Sequence, residues 1–146
     1  MRWLWFSCLI VVLDQATKWV ACHYLGEVPL VLMPVLQLTL AFNSGAAFSF
    51  LSHAGGWQNL FFLGVSIVII VSLMIILYRS SYSRLATASI IGGALGNLVD
   101  RLHYGYVVDF IDVHAGIYHW PVFNVADAFI SIGAILMMLS CIRGKK

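Results

Sequence analysis

Only 10% of the 146 residues carry a charge, against about 25% in a soluble domain. That shortage excludes an ordinary globular enzyme, a disordered chain and a nucleic-acid binder. The hydrophobic share is 62% and the mean hydropathy +0.95. A domain of this size has too much surface for its volume to hide so much apolar area from water, so lipid is the expected solvent. Cysteine is also sparse. Cys8, Cys22 and Cys141 show neither paired nor metal-type spacing, and no disulfide is expected. Cys8 and Cys141 lie in apolar runs and read as buried, unreactive thiols. Neither repeats nor low-complexity tracts occur.

Four apolar stretches are present, at about 3–22, 57–78, 85–103 and 121–142. At 1.5 Å per residue each can cross ~30 Å of hydrocarbon as a helix, and helix is the default where an unpaired backbone group costs several kcal/mol. The remainder suffices for loops and one modest outer element, so residues 1–146 are expected to form one membrane-embedded domain. The basic residues give a direction. Arg2, the Arg79/Arg84 pair and Arg143, Lys145 and Lys146 fall on one side of a four-span bundle, which the positive-inside rule assigns to the cytoplasm together with both termini. The two long connections, about 23–56 and 104–120, contain no Lys or Arg and face outward. The run Trp3–Leu13 has some look of a cleavable signal, but Asp14 and Lys18 interrupt it and no small-x-small pattern follows, so the first span is expected to stay.

Within the first outer connection, Leu36–Asn43 alternates apolar and polar residues as a half-buried strand does, with Pro29 and Pro34 on its approach. The expected fold is an all-α membrane protein of four transmembrane helices. It carries a small β-sheet platform at about 35–50 and a short surface helix or turn around 45–51 on the outer side. Residues 52–56 read as a loop.

The six acidic residues are Asp14, Glu27, Asp100, Asp109, Asp112 and Asp127. A charge within an apolar span costs at least ~2.5–3.5 kcal/mol and marks a functional candidate. Counting from the cytoplasmic arginines, Asp14 lies roughly 18 Å up, and Asp100 and Asp127 roughly 24 Å up. Asp109 lies beyond them, where it is expected to end span three. All four therefore gather toward the outer face. Asp109 and Asp127 both have apolar flanks. Burial and a nearby second carboxyl raise a carboxyl pKa, so such a pair shares one proton near neutrality. One member then activates water while the other protonates a carbonyl, which is the chemistry of aspartic peptide hydrolysis.

Simpler readings exist for each residue. Asp127, three after Asn124, fits the third position of a capped helix, and Asp109 fits a polar turn. Asp112 and His114 read as solvated. Asp14 and Lys18, four apart, read as a pair on one helix face, with Lys18 reaching toward headgroups. Ala88, Gly92, Gly96 and Asp100 form one stripe of close helix approach, turning Asp100 inward. Asn97 and Arg101 lie beside it, and Asp100 and Arg101 read as compensating partners. There is no His-Glu-x-x-His and no Gly-x-Ser-x-Gly. A Ser–Lys dyad would need Lys18, which Asp14 neutralises. A metal site from His103, Asp109, His114 and His119 has loose spacing.

Five motifs, Asp14-Gln-Ala-Thr-Lys18, Phe42-Asn-Ser-Gly-Ala-Ala-Phe-Ser49, Gly96-Asn-Leu-Val-Asp-Arg101, Val107-Val-Asp-Phe-Ile111 and Phe123-Asn-Val-Ala-Asp127, together resemble the lipoprotein signal peptidases (type II signal peptidases) in content and order. The resemblance implies a bacterial inner-membrane aspartic endopeptidase whose catalytic dyad is Asp109 and Asp127. It implies that Asn43, Gly45, Asn97, Asp100, Arg101, Asn124 and Ala126 shape the site or hold substrate, and that Asp14 and Lys18 give structural support. No metal or organic cofactor is implied. The implied partners are membrane lipid and a prolipoprotein cleaved just before its diacylglyceryl-modified cysteine; nucleic acid is not among them. The family is a target of globomycin, and a monomer is expected. The outer strand would form a platform over the groove and the loop after it a moving lid. The rival from another class is a small proton-coupled transporter, since four spans with buried aspartates could carry a cation or drug; a plain membrane scaffold is the third alternative.

Overall fold

The computed structural model of the chain describes residues 2–45, 57–79 and 83–143. Its elements follow as α1 (Arg2–Tyr24), β1 (Leu30–Met33), β2 (Leu36–Asn43), α2 (Trp57–Arg79), α3 (Arg84–His103), β3 (Val107–Ala115), β4 (Tyr118–His119) and α4 (Val125–Arg143). The expected short helix or turn beyond Gly45, the loop at 52–56 and the lid lie outside the described residues.

Among the described residues, three helices are long and apolar enough to cross a membrane: α1, α2 from Asn59 onward, and α4 to Ile142. Their large side chains point outward, as with Trp5, Val12, Leu60, Val68 and Ile142. A water-soluble protein does not expose contiguous apolar surface on this scale. α3 is less apolar because of where it sits. It packs against α1, α2 and α4, so most of its circumference meets protein. The small-residue stripe makes that possible. Ala88 is fully buried, and a Cβ on Gly92 would lie 2.9 Å from the Ser7 carbonyl oxygen of α1. Ser7 Oγ in turn donates to the Ala88 carbonyl at 2.8 Å.

Two expectations about apolar segments are corrected. Cys8 and Cys141 are exposed, not buried: they occupy outward helix faces, which apolar neighbours alone do not distinguish from inward ones. The fourth helix begins at Val125 rather than at 121. Phe123 before it pairs with β3 instead, donating to Ile111 O at 3.0 Å and accepting from Ile111 N at 2.8 Å.

The strands form a four-stranded antiparallel sheet in the order β1-β2-β3-β4. Its third strand carries Asp109, the residue expected at the end of span three. Gly105, at φ +81°, ends that helix: its N–H and that of Tyr104 close back onto the Arg101 and Asp100 carbonyls. A left-handed residue just past a helix end favours glycine. The β-branched Val107 and Val108 then continue as strand. Asp109 is therefore a strand residue, opposite Ala41 of β2.

Candidate active site

The sheet and the ends of α3 and α4 enclose a cavity of about 550 Å³ whose lining includes Asn43, Asn97, Arg101, Asp109, Trp120 and Asp127. Asp109 enters from β3 and is 2% exposed; Asp127 enters from the first turn of α4 and is half-buried. The Phe123–Ile111 pairing brings the start of α4 alongside β3, which is what gathers the two carboxyls.

Three asparagines hold them. Asn124 Nδ2 donates to Asp109 Oδ1 at 2.6 Å, and Asn43 Nδ2, two rungs along the sheet, donates to Asp109 Oδ2 at 3.1 Å. Asn97 Nδ2 donates to Asp127 Oδ1 at 2.8 Å. Asn124 also caps α4 reciprocally: its Oδ1 accepts from Asp127 N at 2.9 Å, while its own N lies 3.3 Å from Asp127 Oδ2. The capping reading and the active-site reading of Asp127 thus describe one side chain. Burial pushes the Asp109 carboxyl up, the Asp127 charge pushes it further, and the asparagine bonds only partly oppose them, leaving it at about 7.

Behind the asparagines lies an ion cluster. Lys18 Nζ is 2.8 Å from Asp14 Oδ2, 2.9 Å from Asp100 Oδ2 and 3.0 Å from Asn97 Oδ1. The expected Asp14–Lys18 pair is present, but Lys18 is 3% exposed and does not reach headgroups. Two buried carboxylates hold it more strongly than a distant interface can. Asp100 is likewise compensated by Lys18, not by Arg101, because adjacent helix residues diverge and cannot face each other. Arg101 Nη2 instead reaches the Gly45 carbonyl at 3.3 Å, with its guanidinium 5.7 Å from the Phe62 ring centre on α2. Gly45 N donates to Asn43 Oδ1 at 3.0 Å, which turns the chain beside the cavity. Ala126 is fully buried against α3, where a Cβ on Gly93 would collide with its carbonyl oxygen.

A sequence model of the family described as Signal peptidase (SPase) II matches residues 6–143. The chain belongs to the signal peptidase II family. It is 47% identical to a "Lipoprotein signal peptidase" of Serratia proteamaculans (strain 568), the match covering 95% of this chain and 85% of that one. It is 48% identical to the protein of that name from Yersinia enterocolitica (serotype O:8 / biotype 1B), covering 94% and 85%. Among solved structures it is similar to a bacterial membrane enzyme determined by the in meso method at 2.3 Å resolution. That likeness has a TM-score of 0.88 and 29% identity, and covers 99% of this chain and 90% of that one. This signal peptidase II is accordingly an aspartic-type peptidase and a bacterial membrane protein, and the transporter alternative has no support.

In this peptidase, Asp112 departs from its solvated reading. It is 3% exposed, accepts from Gln37 Nε2 at 2.7 Å and lies 2.9 Å from His119 Nδ1. Burial opposes its charge, but the bonds from Gln37 and His119 outweigh that and hold its carboxyl below the usual range. His114 is half-buried and stacks on His119 with ring centres 4.8 Å apart. No group of three or more His, Cys, Asp or Glu side chains gathers at metal-binding distance among the described residues.

Gln15 was not singled out from the sequence, yet its Nε2 bonds Asp100 Oδ1 at 2.8 Å and the Gly96 carbonyl at 3.2 Å. Its only signal was its place within the Asp14–Lys18 motif. Asn59 of α2, donating to the Arg101 carbonyl at 3.3 Å, and Phe62 had no signal in an apolar stretch.

Proposed function

We propose that Asp109 and Asp127 are the catalytic dyad with which this signal peptidase cleaves a diacylglyceryl-modified prolipoprotein just before its lipidated cysteine. The observation that carries the reading is a pair of carboxyls, each held by asparagine N–H groups, opening on one cavity, with Asp109 poised to hold a proton near neutrality. Asp127, the more accessible member, takes a proton from water as the water oxygen attacks the scissile carbonyl carbon. Asp109 gives its proton to the carbonyl oxygen. When the tetrahedral diol collapses, the C–N bond breaks, the proton on Asp127 passes to the leaving nitrogen, and a diol proton returns to Asp109. A free amine on the lipidated cysteine and a carboxyl on the signal peptide result. Asn43 and Arg101 line the cavity and Gly45 bonds to both; these three are assigned to site shaping and substrate contact, with Asn97, Asn124, Asp100 and Ala126 fixing the frame.

The same reading takes α3 as a fourth span. Its 20 residues reach about 30 Å, and a helix enclosed by three others does not need a lipid-compatible surface. Arg2, Arg79, Arg84 and Arg143 then lie on the cytoplasmic side of the inner membrane, and the sheet and dyad lie at the outer face, where acyl chains hold a lipidated cysteine. The enzyme works as a monomer without metal or organic cofactor. Asp109→Asn and Asp127→Asn are each expected to abolish cleavage of a lipidated prolipoprotein by purified enzyme while membrane insertion persists. Normal turnover by either variant would remove the dyad assignment.

A further inference from the structure

We propose that Lys18 is a positioning residue for the dyad, acting through Asn97 and through the two carboxylates it gathers. The proposal rests on the dyad reading above. Lys18 has three N–H bonds to give, and it points one at each of Asp14, Asp100 and the Asn97 side-chain oxygen. Asn97 Oδ1 also accepts from Asn124 Nδ2 at 3.1 Å. A turned-over Asn97 amide would aim its NH₂ group at an ammonium and at a second NH₂ group. That orientation is closed, so the Asn97 NH₂ must face Asp127, where it donates at 2.8 Å.

The two carboxylates extend the effect to the backbone. Asp14 Oδ1 accepts from the N–H of Ala126, immediately before Asp127, at 2.9 Å. Asp100 Oδ2 accepts from the N–H of Val108, immediately before Asp109, at 3.0 Å. One buried ammonium therefore joins the carboxylates that pin the chain beside each dyad member, on a helix that supplies neither. Gln15 braces the same cluster from α1. A misplacement of about 1 Å at a reacting group can cost ~100-fold in rate, so the cluster acts on kcat more than on substrate affinity.

Lys18→Met alone strands two buried carboxylates and endangers folding. The informative variant is Lys18→Met/Asp14→Asn/Asp100→Asn, which removes all three charges together and keeps side-chain oxygens for the Ala126 and Val108 N–H groups. Its cleavage of a diacylglyceryl-modified prolipoprotein is expected to show kcat lowered ~10-fold or more with KM changed less than about threefold. Adding Asn97→Ala to it should lower kcat by less than the product of the two separate losses, because both act on the donor to Asp127. Unchanged kcat, or losses that multiply, overturns the proposal. If the triple variant does not fold, Asn97→Asp decides. It retains acceptors for Lys18 and Asn124 but has no donor for Asp127; loss of kcat in folded enzyme supports the proposal, and retained kcat overturns it. Asp109→Asn and Asp127→Asn run alongside: activity in either would fail the dyad reading itself, whatever Lys18 does.

Discussion

Asp109 carries the least comfortable charge on the sheet, and its environment gives a pH dependence with a definite sign. Its carboxyl sits at about 7 in the folded protein, from an ordinary value of 3.8. In the proposed role of acid, it is competent below about pH 7 and loses its proton as the pH rises through that value, so kcat/KM should fall on the alkaline side. Asn43 favours the charged form through its bond to Oδ2. Asn43→Ala should move the alkaline limb to higher pH, as read from a kcat/KM profile, and an unmoved limb would separate that limb from Asp109. The same shift affects stability. A carboxyl raised on folding leaves stability intact below about pH 4 and erodes it as the pH climbs through 7. Three units correspond to at most ~4 kcal/mol, and an amide in its place loses one bond of ~1 kcal/mol. Asp109→Asn should therefore be inactive yet melt several degrees higher than the parent at pH 8, with the gain shrinking toward pH 5.

Among the elements, the contact of α3 with α1 and α4 is the one on which the site depends. A Cβ on Gly96 would lie 2.6 Å from Asp14 Oδ2, a side chain fixed by Lys18 and Ala126 N and therefore unable to yield. Gly96→Ala should cost about 1–3 kcal/mol, visible as a lower melting temperature in detergent, and should lower activity with it. Gly64, midway along α2, has nothing within 4 Å of such an atom. Gly64→Ala should leave activity unchanged and raise stability by about 0.5–1 kcal/mol, since alanine costs a helix less entropy than glycine. An equal response to the two substitutions would contradict the packing described here.

The molecule as a whole has one end rich in strands and one basic end, and the proposed orientation is testable directly. In a background of Cys8→Ala, Cys22→Ala and Cys141→Ala, Gly26→Cys should react with a membrane-impermeant thiol reagent on spheroplasts, and Ser83→Cys only after permeabilisation; the reverse pattern would invert the topology. Much of this architecture was legible from one sequence. Long apolar stretches require helices where backbone groups have no water to bond, and the alternation in Leu36–Asn43 marked its strand. The Ala88–Gly92–Gly96 stripe marked a close helix contact. Those are local or periodic signals. The later start of α4, the burial of Asp112 and the transfer of Asp100 from Arg101 to Lys18 depended on partners 7 to 82 residues away, which no local pattern specifies. Sequence alone determined that the chain lives in lipid and which residues could do chemistry, because hydropathy and residue type are properties of each position. Tertiary structure alone decided which amides face which carboxylates, because a hydrogen bond is set by the meeting of distant segments at about 3 Å.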